Sequence, residues 1–77
     1  MKVLLVEDEL KLGEYIKKGL TEAGFIVDHY LTGLDGYHAL MTEEFSVILM
    51  DVMLPDVSGF ELVRNYRAAG KRTPVLF

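Results

Sequence analysis

The chain has 77 residues, of which 51% are hydrophobic and 26% charged, with no cysteine and a formal net charge of -4 at pH 7. This length supports one small domain, the acidic balance excludes direct nucleic-acid contact by this segment, and the lack of cysteine excludes disulfides and thiol chemistry. Lys2 precedes only a short apolar run, which matches neither a signal peptide nor a membrane span, so we expect a cytoplasmic protein without membrane contact.

The first half of the chain alternates short apolar runs with helical patterns. An apolar strand over residues 2–6 leads into an acidic loop, and a helix is predicted over residues 11–23. A second strand opens at Phe25 and turns polar after Val27, which is typical of an edge strand. The apolar stripe that we expect to face the core from the first helix consists of Leu12, Ile16, Leu20 and Ala23.

A second helix is predicted over residues 34–43. Thr32 precedes it as a turn and cap residue, whereas Gly36 lies inside it and costs about 1 kcal/mol relative to alanine. The helix is therefore predicted from its apolar periodicity rather than from its intrinsic propensity. Its expected core-facing residues are Tyr37, Leu40, Met41 and Phe45.

The third predicted strand, over residues 46–50, is apolar and is followed directly by Asp51. Pro55 and Gly59 then indicate a loop, and a helix is predicted over residues 59–69. Open α/β sheets keep their ligand crevices at the carboxyl ends of their strands, so Asp51 is a candidate functional residue. The alternative is that it only ends the strand.

The first strand ends in the same way, with the acidic pair Glu7 and Asp8. If the two strands are parallel neighbours, roughly 5 Å apart, both acids converge with Asp51. Three clustered carboxylates repel one another, and Mg²⁺, which prefers oxygen ligands, would offset that charge and make Asp51 a nucleophile towards phosphorus. The alternative is that Asp8 or Glu9 only caps the first helix.

Three other polar residues are assigned no role in this cluster. We expect His29 and His38 to lie at the surface and away from the acids. Asp56 follows Pro55 in the predicted loop and is interpreted as a solvated side chain, with access to Asp51 as its alternative role.

These patterns resemble the receiver domain of two-component response regulators. The resemblance rests on the acidic pair after the first strand and on Asp51, Pro55 and Gly59 in the spacing D-x-x-x-P-x-x-x-G, and it extends over all 77 residues. The sequence of residues 13–20, 24–25 and 53–55 is most similar to that of the OmpR-like winged-helix subfamily, in its heavy-metal-responsive branch.

The resemblance implies a role for each site residue. Asp51 would be the phosphoacceptor, and Asp8 would be the main carboxylate ligand of Mg²⁺. Glu7 would act on the metal directly or through a water molecule, and Met53 would offer its backbone carbonyl.

The resemblance also implies a flavodoxin/CheY-like doubly wound parallel sheet of strand order 2-1-3-4-5. Residues 1–77 would form the N-terminal part of such a domain, without a linker, in the order 2-1-3-4, lacking strand five and helices four and five. A receiver carries a Thr or Ser after strand four and a Lys after strand five. A fourth strand is predicted over residues 74–77, and because Thr73 and Lys71 precede it, they do not match these positions.

Three functions are compared on this basis. The first is a switch, not a turnover enzyme, in which a sensor histidine kinase phosphorylates Asp51 to control a DNA-binding output domain outside this chain. The second is an aspartate-nucleophile phosphatase, which needs a second Asp two residues on, where Met53 stands. The third is a truncated or pseudo-receiver that acts only by binding. Because a sheet edge without a partner is a template for pairing, we also expect self-association through strand four and the exposed sheet faces.

Overall fold

The computed structural model describes all 77 residues, which form four strands and three helices in alternation. The predicted elements are all present, with boundaries displaced by one or two residues, and the fourth strand is confined to two residues. In chain order they are β1 Lys2–Val6, α1 Leu10–Glu22, β2 Ile26–Tyr30, α2 Gly33–Thr42, β3 Val47–Met50, α3 Gly59–Ala68 and β4 Val75–Leu76.

The four strands form one parallel sheet in the order β2-β1-β3-β4, which confirms the predicted topology. In the register of the sheet, Val6 at the end of β1 lies opposite Tyr30 of β2 on one side and Met50 of β3 on the other. The carboxyl ends of three strands therefore meet at one edge of the sheet, with β1 in the centre. The residues that follow β1 and β3 emerge side by side.

The core is divided between the two faces of the sheet because successive side chains of a strand point to opposite faces. Leu4 and Val6 of β1 point to the face covered by α2 and α3, whereas Val3 and Leu5 point to the face covered by α1. The first face carries the larger cluster: Leu4, Val6, Ala39, Leu40, Phe45, Ile48, Met50, Leu62 and Tyr66.

The predicted stripe of α1 is wrong at both ends. Ile16 and Leu20 do pack against the sheet, but Leu12 is 40% exposed and Ala23 is exposed. The buried residue of α1 is Gly13, which lies against the ring of His29 in β2. The contact face of α1 therefore consists of Gly13, Ile16 and Leu20, with Gly13 in place of the predicted Leu12.

The stripe of α2 needs a similar correction. Leu40 is buried as predicted, whereas Met41 is 41% exposed and Ala39 is buried in its place. Gly36 is also buried, and a Cβ atom at this position would overlap the Val6 side chain. The missing side chain thus lets α2 lie close against β1, which gives a packing reason for a residue that is unfavourable by propensity.

Candidate functional site

The carboxyl ends of β1 and β3 bring the three predicted acids together. The ladder of backbone hydrogen bonds continues one residue past the strands, because Asp51 N donates to Val6 O at 3.0 Å and Glu7 N donates to Tyr30 O at 3.0 Å. Carboxylate oxygens of Glu7, Asp8 and Asp51 lie within 4.8 Å of one another, which confirms the predicted convergence. Glu7 and Asp51 are half-buried and Asp8 is exposed.

Backbone donors hold two of these carboxylates. Oε2 of Glu7 accepts a hydrogen bond from Glu9 N at 3.0 Å, and Oδ1 of Asp51 accepts one from Met53 N at 3.1 Å. No side-chain hydrogen bond caps α1, so the capping alternative for Asp8 and Glu9 is not supported. The bonds leave the other carboxylate oxygens of the cluster free to bind a ligand.

The electrostatics of the cluster are unfavourable without a cation. Both ion pairs of the chain involve Lys2, so no lysine or arginine pairs with the three acids. Burial raises the pKa of the Glu7 carboxyl, the hydrogen bond from Glu9 N opposes this, and the neighbouring Asp8 and Asp51 raise it further. A hard divalent cation with oxygen ligands fits this donor set, because carboxylates are its preferred protein ligands.

The loop between β3 and α3 begins at this site. Met53 is 83% exposed, forms an antiparallel bridge with Ser58, and reaches Asp51 through its N–H group. Gly59 N donates to Val52 O at 2.8 Å and closes the loop at the start of α3. The backbone of Met53 therefore lies beside Asp51, at the same end of the sheet.

Asp56 is bound rather than merely solvated. Its Oδ1 accepts a hydrogen bond from Gly33 N and its Oδ2 one from Leu34 N, each at 2.9 Å. These bonds, that from Gly33 first, hold the pKa of the Asp56 carboxyl below its usual range. Asp56 thus ties the β3–α3 loop to the first turn of α2, which begins with Thr32 as its cap. No local pattern signals a partner so far away in the chain.

The prediction for His29 is wrong, whereas His38 is exposed as predicted. His29 is half-buried, and its Nε2 lies 2.9 Å from the backbone carbonyl oxygen of Glu7. The registry of β2 on β1 places it there, with His29 opposite Leu5. The position of His29 beside Glu7 depends on the register of β2 on β1, which the sequence alone does not give.

An apolar cleft adjoins the acids on the α1 side of the sheet. It measures about 310 Å³ and includes Glu7 and Asp51 in its lining. Its apolar walls come from β1, β3, α1 and the end of the chain: Leu5, Ile16, Leu49, Leu76 and Phe77.

Comparison with known proteins identifies the chain. A family profile described as "Response regulator receiver domain" matches residues 3–77. The chain belongs to the response regulator receiver domain family. The phosphatase and binding-only alternatives are not favoured by this membership. Receiver domains bind Mg²⁺ at an acidic cluster, and this chain has a group of three acids in Glu7, Asp8 and Asp51.

A curated relative agrees with this assignment. The receiver is 58% identical over 76 residues to the probable transcriptional regulatory protein SilR of Salmonella typhimurium, covering 99% of this chain and 33% of that protein. The resemblance to a transcription-regulator subfamily is therefore confirmed. The chain spans about a third of the length of this curated relative.

Solved structures confirm the fold. The receiver domain of the Francisella response regulator 1452 matches with a TM-score of 0.93 at 30% identity, over 96% of this chain and 61% of that one. TrrA of Thermotoga maritima, solved in complex with Mg²⁺ and BeF, matches with a TM-score of 0.84 at 25% identity, over 88% and 59%. None of the three helices of this receiver has the length and apolar character needed to cross a bilayer.

Proposed function

We propose that this chain is the phosphoacceptor part of a two-component response regulator, in which Asp51 receives a phosphoryl group from a sensor histidine kinase. The observation that supports this most directly is the convergence of Glu7, Asp8 and Asp51 within 4.8 Å, without a cationic partner, in a chain of the receiver family. Residues 1–77 would form the N-terminal part of that receiver domain.

Four residues of the site would bind the metal in different ways. Asp8 and Asp51 would hold Mg²⁺ through carboxylate oxygens, Glu7 would bind it directly or through water, and Met53 would contribute its backbone carbonyl. When bound, Mg²⁺ offsets the negative charge of the carboxylates and of the incoming phosphoryl group. The complex of TrrA with Mg²⁺ and BeF supports this choice of ion.

The geometry also favours one oxygen of Asp51 as the nucleophile. Oδ1 accepts the hydrogen bond from Met53 N and keeps a second lone pair that would hold the metal, so Oδ2 is the oxygen available to attack phosphorus. A new O–P bond then forms as the P–N bond of the donor phosphohistidine breaks, and the electron pair remains on the imidazole. The receiver would catalyse this transfer itself, and the acyl phosphate would later be hydrolysed. The domain would therefore act as a reversible switch rather than as a metabolic enzyme.

The test is phosphorylation by a small acyl phosphate with Mg²⁺, read by intact mass and peptide mapping. We expect one phosphoryl group on Asp51, labile to base, and none without the metal. Asp51→Asn should abolish the label, whereas the matched control Asp35→Asn, at an exposed position in α2, should retain it. Labelling is expected to be slow on these 77 residues alone, because they do not include the Lys that the resemblance places after strand five. A label that persists in Asp51→Asn would show that another residue is the acceptor.

The biological setting follows from the same proposal. The phosphorylated receiver would act in the cytoplasm and control a DNA-binding output domain outside these residues, in a heavy-metal-responsive regulator. The acidic net charge of -4 supports the absence of direct nucleic-acid contact by this segment. The similarity to SilR, which is named a probable transcriptional regulatory protein, supports a role in the control of transcription.

We further propose that the chain self-associates through β4. Leu76 is 61% and Phe77 56% exposed, and β4 has a strand neighbour on one side only. An unpaired edge next to an apolar cleft is a template for a second chain, and burial of a few hundred Å² yields several kcal/mol at about 25 cal/mol per Å². Sedimentation over a concentration series should show dimers that Leu76→Lys abolishes. A monomer at all concentrations would refute the proposal.

A further inference from the structure

His29 lies between two parts of the chain that carry or flank the acidic site. Its ring is half-buried, and Nε2 lies 2.9 Å from the carbonyl oxygen of Glu7. A carbonyl oxygen only accepts hydrogen bonds, so Nε2 carries the hydrogen and donates it. This is the one side-chain hydrogen bond that reaches the β1–α1 loop, residues 7–9, from another element.

The other side of the ring packs against Gly13, the buried residue of α1. A Cβ atom at Gly13 would overlap the ring atoms Cε1, Nε2 and Nδ1 of His29. Any other residue at this position would have to displace either the ring or the helix. Gly13 N in turn donates to Glu9 O at 2.9 Å, so the ring contacts Glu7 directly and is linked to Glu9 only through Gly13.

This segment needs an external support because its charges repel. Glu7 is half-buried beside Asp8 and Asp51 with no cation, and repulsion favours a loop that moves the carboxylates apart. Within the loop, the only opposing side-chain bond is that from Glu9 N to Oε2 of Glu7. A donor fixed by β2 can hold the Glu7 peptide in place at no electrostatic cost to the cluster.

We infer that His29 is a positioning residue for the acidic site: it holds the Glu7 peptide through Nε2–H, in a space that exists only because residue 13 is glycine. His29 touches neither the metal nor the phosphoryl group and acts through the loop. The inference deepens the proposed function and rests on it for the role of the acids in binding Mg²⁺. Supporting residues of this kind typically change metal affinity 10- to 100-fold when lost.

The first experiment compares His29→Ala, His29→Gln and the matched control His38→Ala in the 77-residue chain. The Gln side-chain nitrogen lies as many bonds from Cβ as Nε2 does, so it can restore the donor. In metal-free protein, amide hydrogen exchange at Glu9 should accelerate in His29→Ala and return towards wild type in His29→Gln. The Mg²⁺ affinity, titrated by NMR, should fall about tenfold in His29→Ala and recover in His29→Gln, while His38→Ala leaves both unchanged.

A role in packing alone gives a different result. It would lower the midpoint of unfolding in all His29 variants without separating Gln from Ala in exchange or affinity. Equal values for Ala and Gln at Glu9 would therefore overturn the inference, as would wild-type exchange in His29→Ala.

The second experiment is a double-mutant cycle with Gly13→Ala. Alone, this substitution should displace the ring and reproduce the accelerated exchange at Glu9. In the His29→Ala background it should add little, because the space is already empty and alanine suits a helix. Additive effects of the two substitutions would show that Gly13 and His29 do not act together.

The metal-free exchange also separates this inference from the proposed function. If wild-type protein fails to bind Mg²⁺ but Glu9 exchange depends on His29, the metal site is wrong and the support of the loop stands. If wild-type protein binds Mg²⁺, and His29→Ala binds it equally well with unchanged exchange at Glu9, the metal site stands and the support of the loop by His29 is wrong.

Discussion

The two ends of β1 carry charge in opposite ways. At the amino end, Lys2 bonds to Glu43, lies 3.4 Å from Asp28, and stands 5.0 Å from the centre of the Phe45 ring. Its pKa is raised, first by the hydrogen bond to Glu43 and, opposed by some desolvation, by both acids. At the carboxyl end, three acids meet without a lysine or arginine partner. Two of them follow β1 directly and the third follows β3.

The difference separates a structural cluster from a candidate binding site. At the amino end the chain supplies its own cation, so the acids there link β1 to β2 and to the segment after α2. At the carboxyl end the chain supplies no cation, and under the proposed function Mg²⁺ from solution would offset the repulsion. The following predictions test this contrast, from the largest expected effect to the smallest.

The largest effect should come from completing the carboxyl-end cluster with metal. At Mg²⁺ concentrations a hundredfold above the dissociation constant, the free energy of unfolding should rise by about 2.7 kcal/mol. Asp8→Asn should weaken Mg²⁺ binding about tenfold or more, and Glu7→Gln less, because Asp8 is proposed as the main ligand. Calorimetric titration measures the Mg²⁺ affinity of both variants, with Asp35→Asn as a control. Unchanged affinity in Asp8→Asn would contradict the site.

The next effect concerns the metal-free protein. The pKa of Glu7 is raised in the folded state, so its neutral form favours folding below the unfolded pKa, and this contribution is lost as pH rises through the folded pKa. Asp51→Asn removes one repelling charge and should raise the free energy of unfolding by about 1 kcal/mol at neutral pH. Urea denaturation across acidic to neutral pH tests this. A less stable Asp51→Asn would show that the cluster is not repulsive.

At the amino end, the effect should be smaller and opposite in sign. Lys2→Met leaves Asp28 and Glu43 without their cation and should lower the midpoint of thermal unfolding at low salt. At about 1 M salt the difference should largely disappear, because screening weakens exposed pairs. Lys17→Met, an exposed lysine on α1 without an ion pair, is the control. Equal losses in both variants would remove the distinction between the two ends.

The smallest effect should come from Asp56, an acid stabilised by backbone donors instead of a cation. Its pKa is lowered in the folded state, so its contribution is present above the ordinary aspartate pKa and is lost as pH falls through the folded value. Asp56→Asn should therefore be slightly less stable at neutral pH and lose part of the acid dependence of unfolding. Acid titration followed by circular dichroism measures this, and an unaltered curve would mean that the bonds to α2 contribute nothing.

Much of the site could be predicted from the sequence because parallel strands gather their carboxyl ends at one edge. Once residues 2–6 and 46–50 are identified as neighbouring strands, Glu7, Asp8 and Asp51 must converge, whatever the details of the helices. The strand order was implied by the resemblance to the receiver family, and the structure confirms it. The roles of the acids and of the Met53 carbonyl remain predictions.

The supports of the site depended on the tertiary structure. His29 meets Glu7 across 22 positions in sequence, and Asp56 meets Gly33 across 23. Whether such residues touch is decided by the registry of β2 on β1 and by how closely each helix approaches the sheet, and neither leaves a periodic signal in the chain. Gly13 illustrates the reason: within the sequence it interrupts a helical pattern, and only the ring of His29 against α1 shows why a side chain there would not fit.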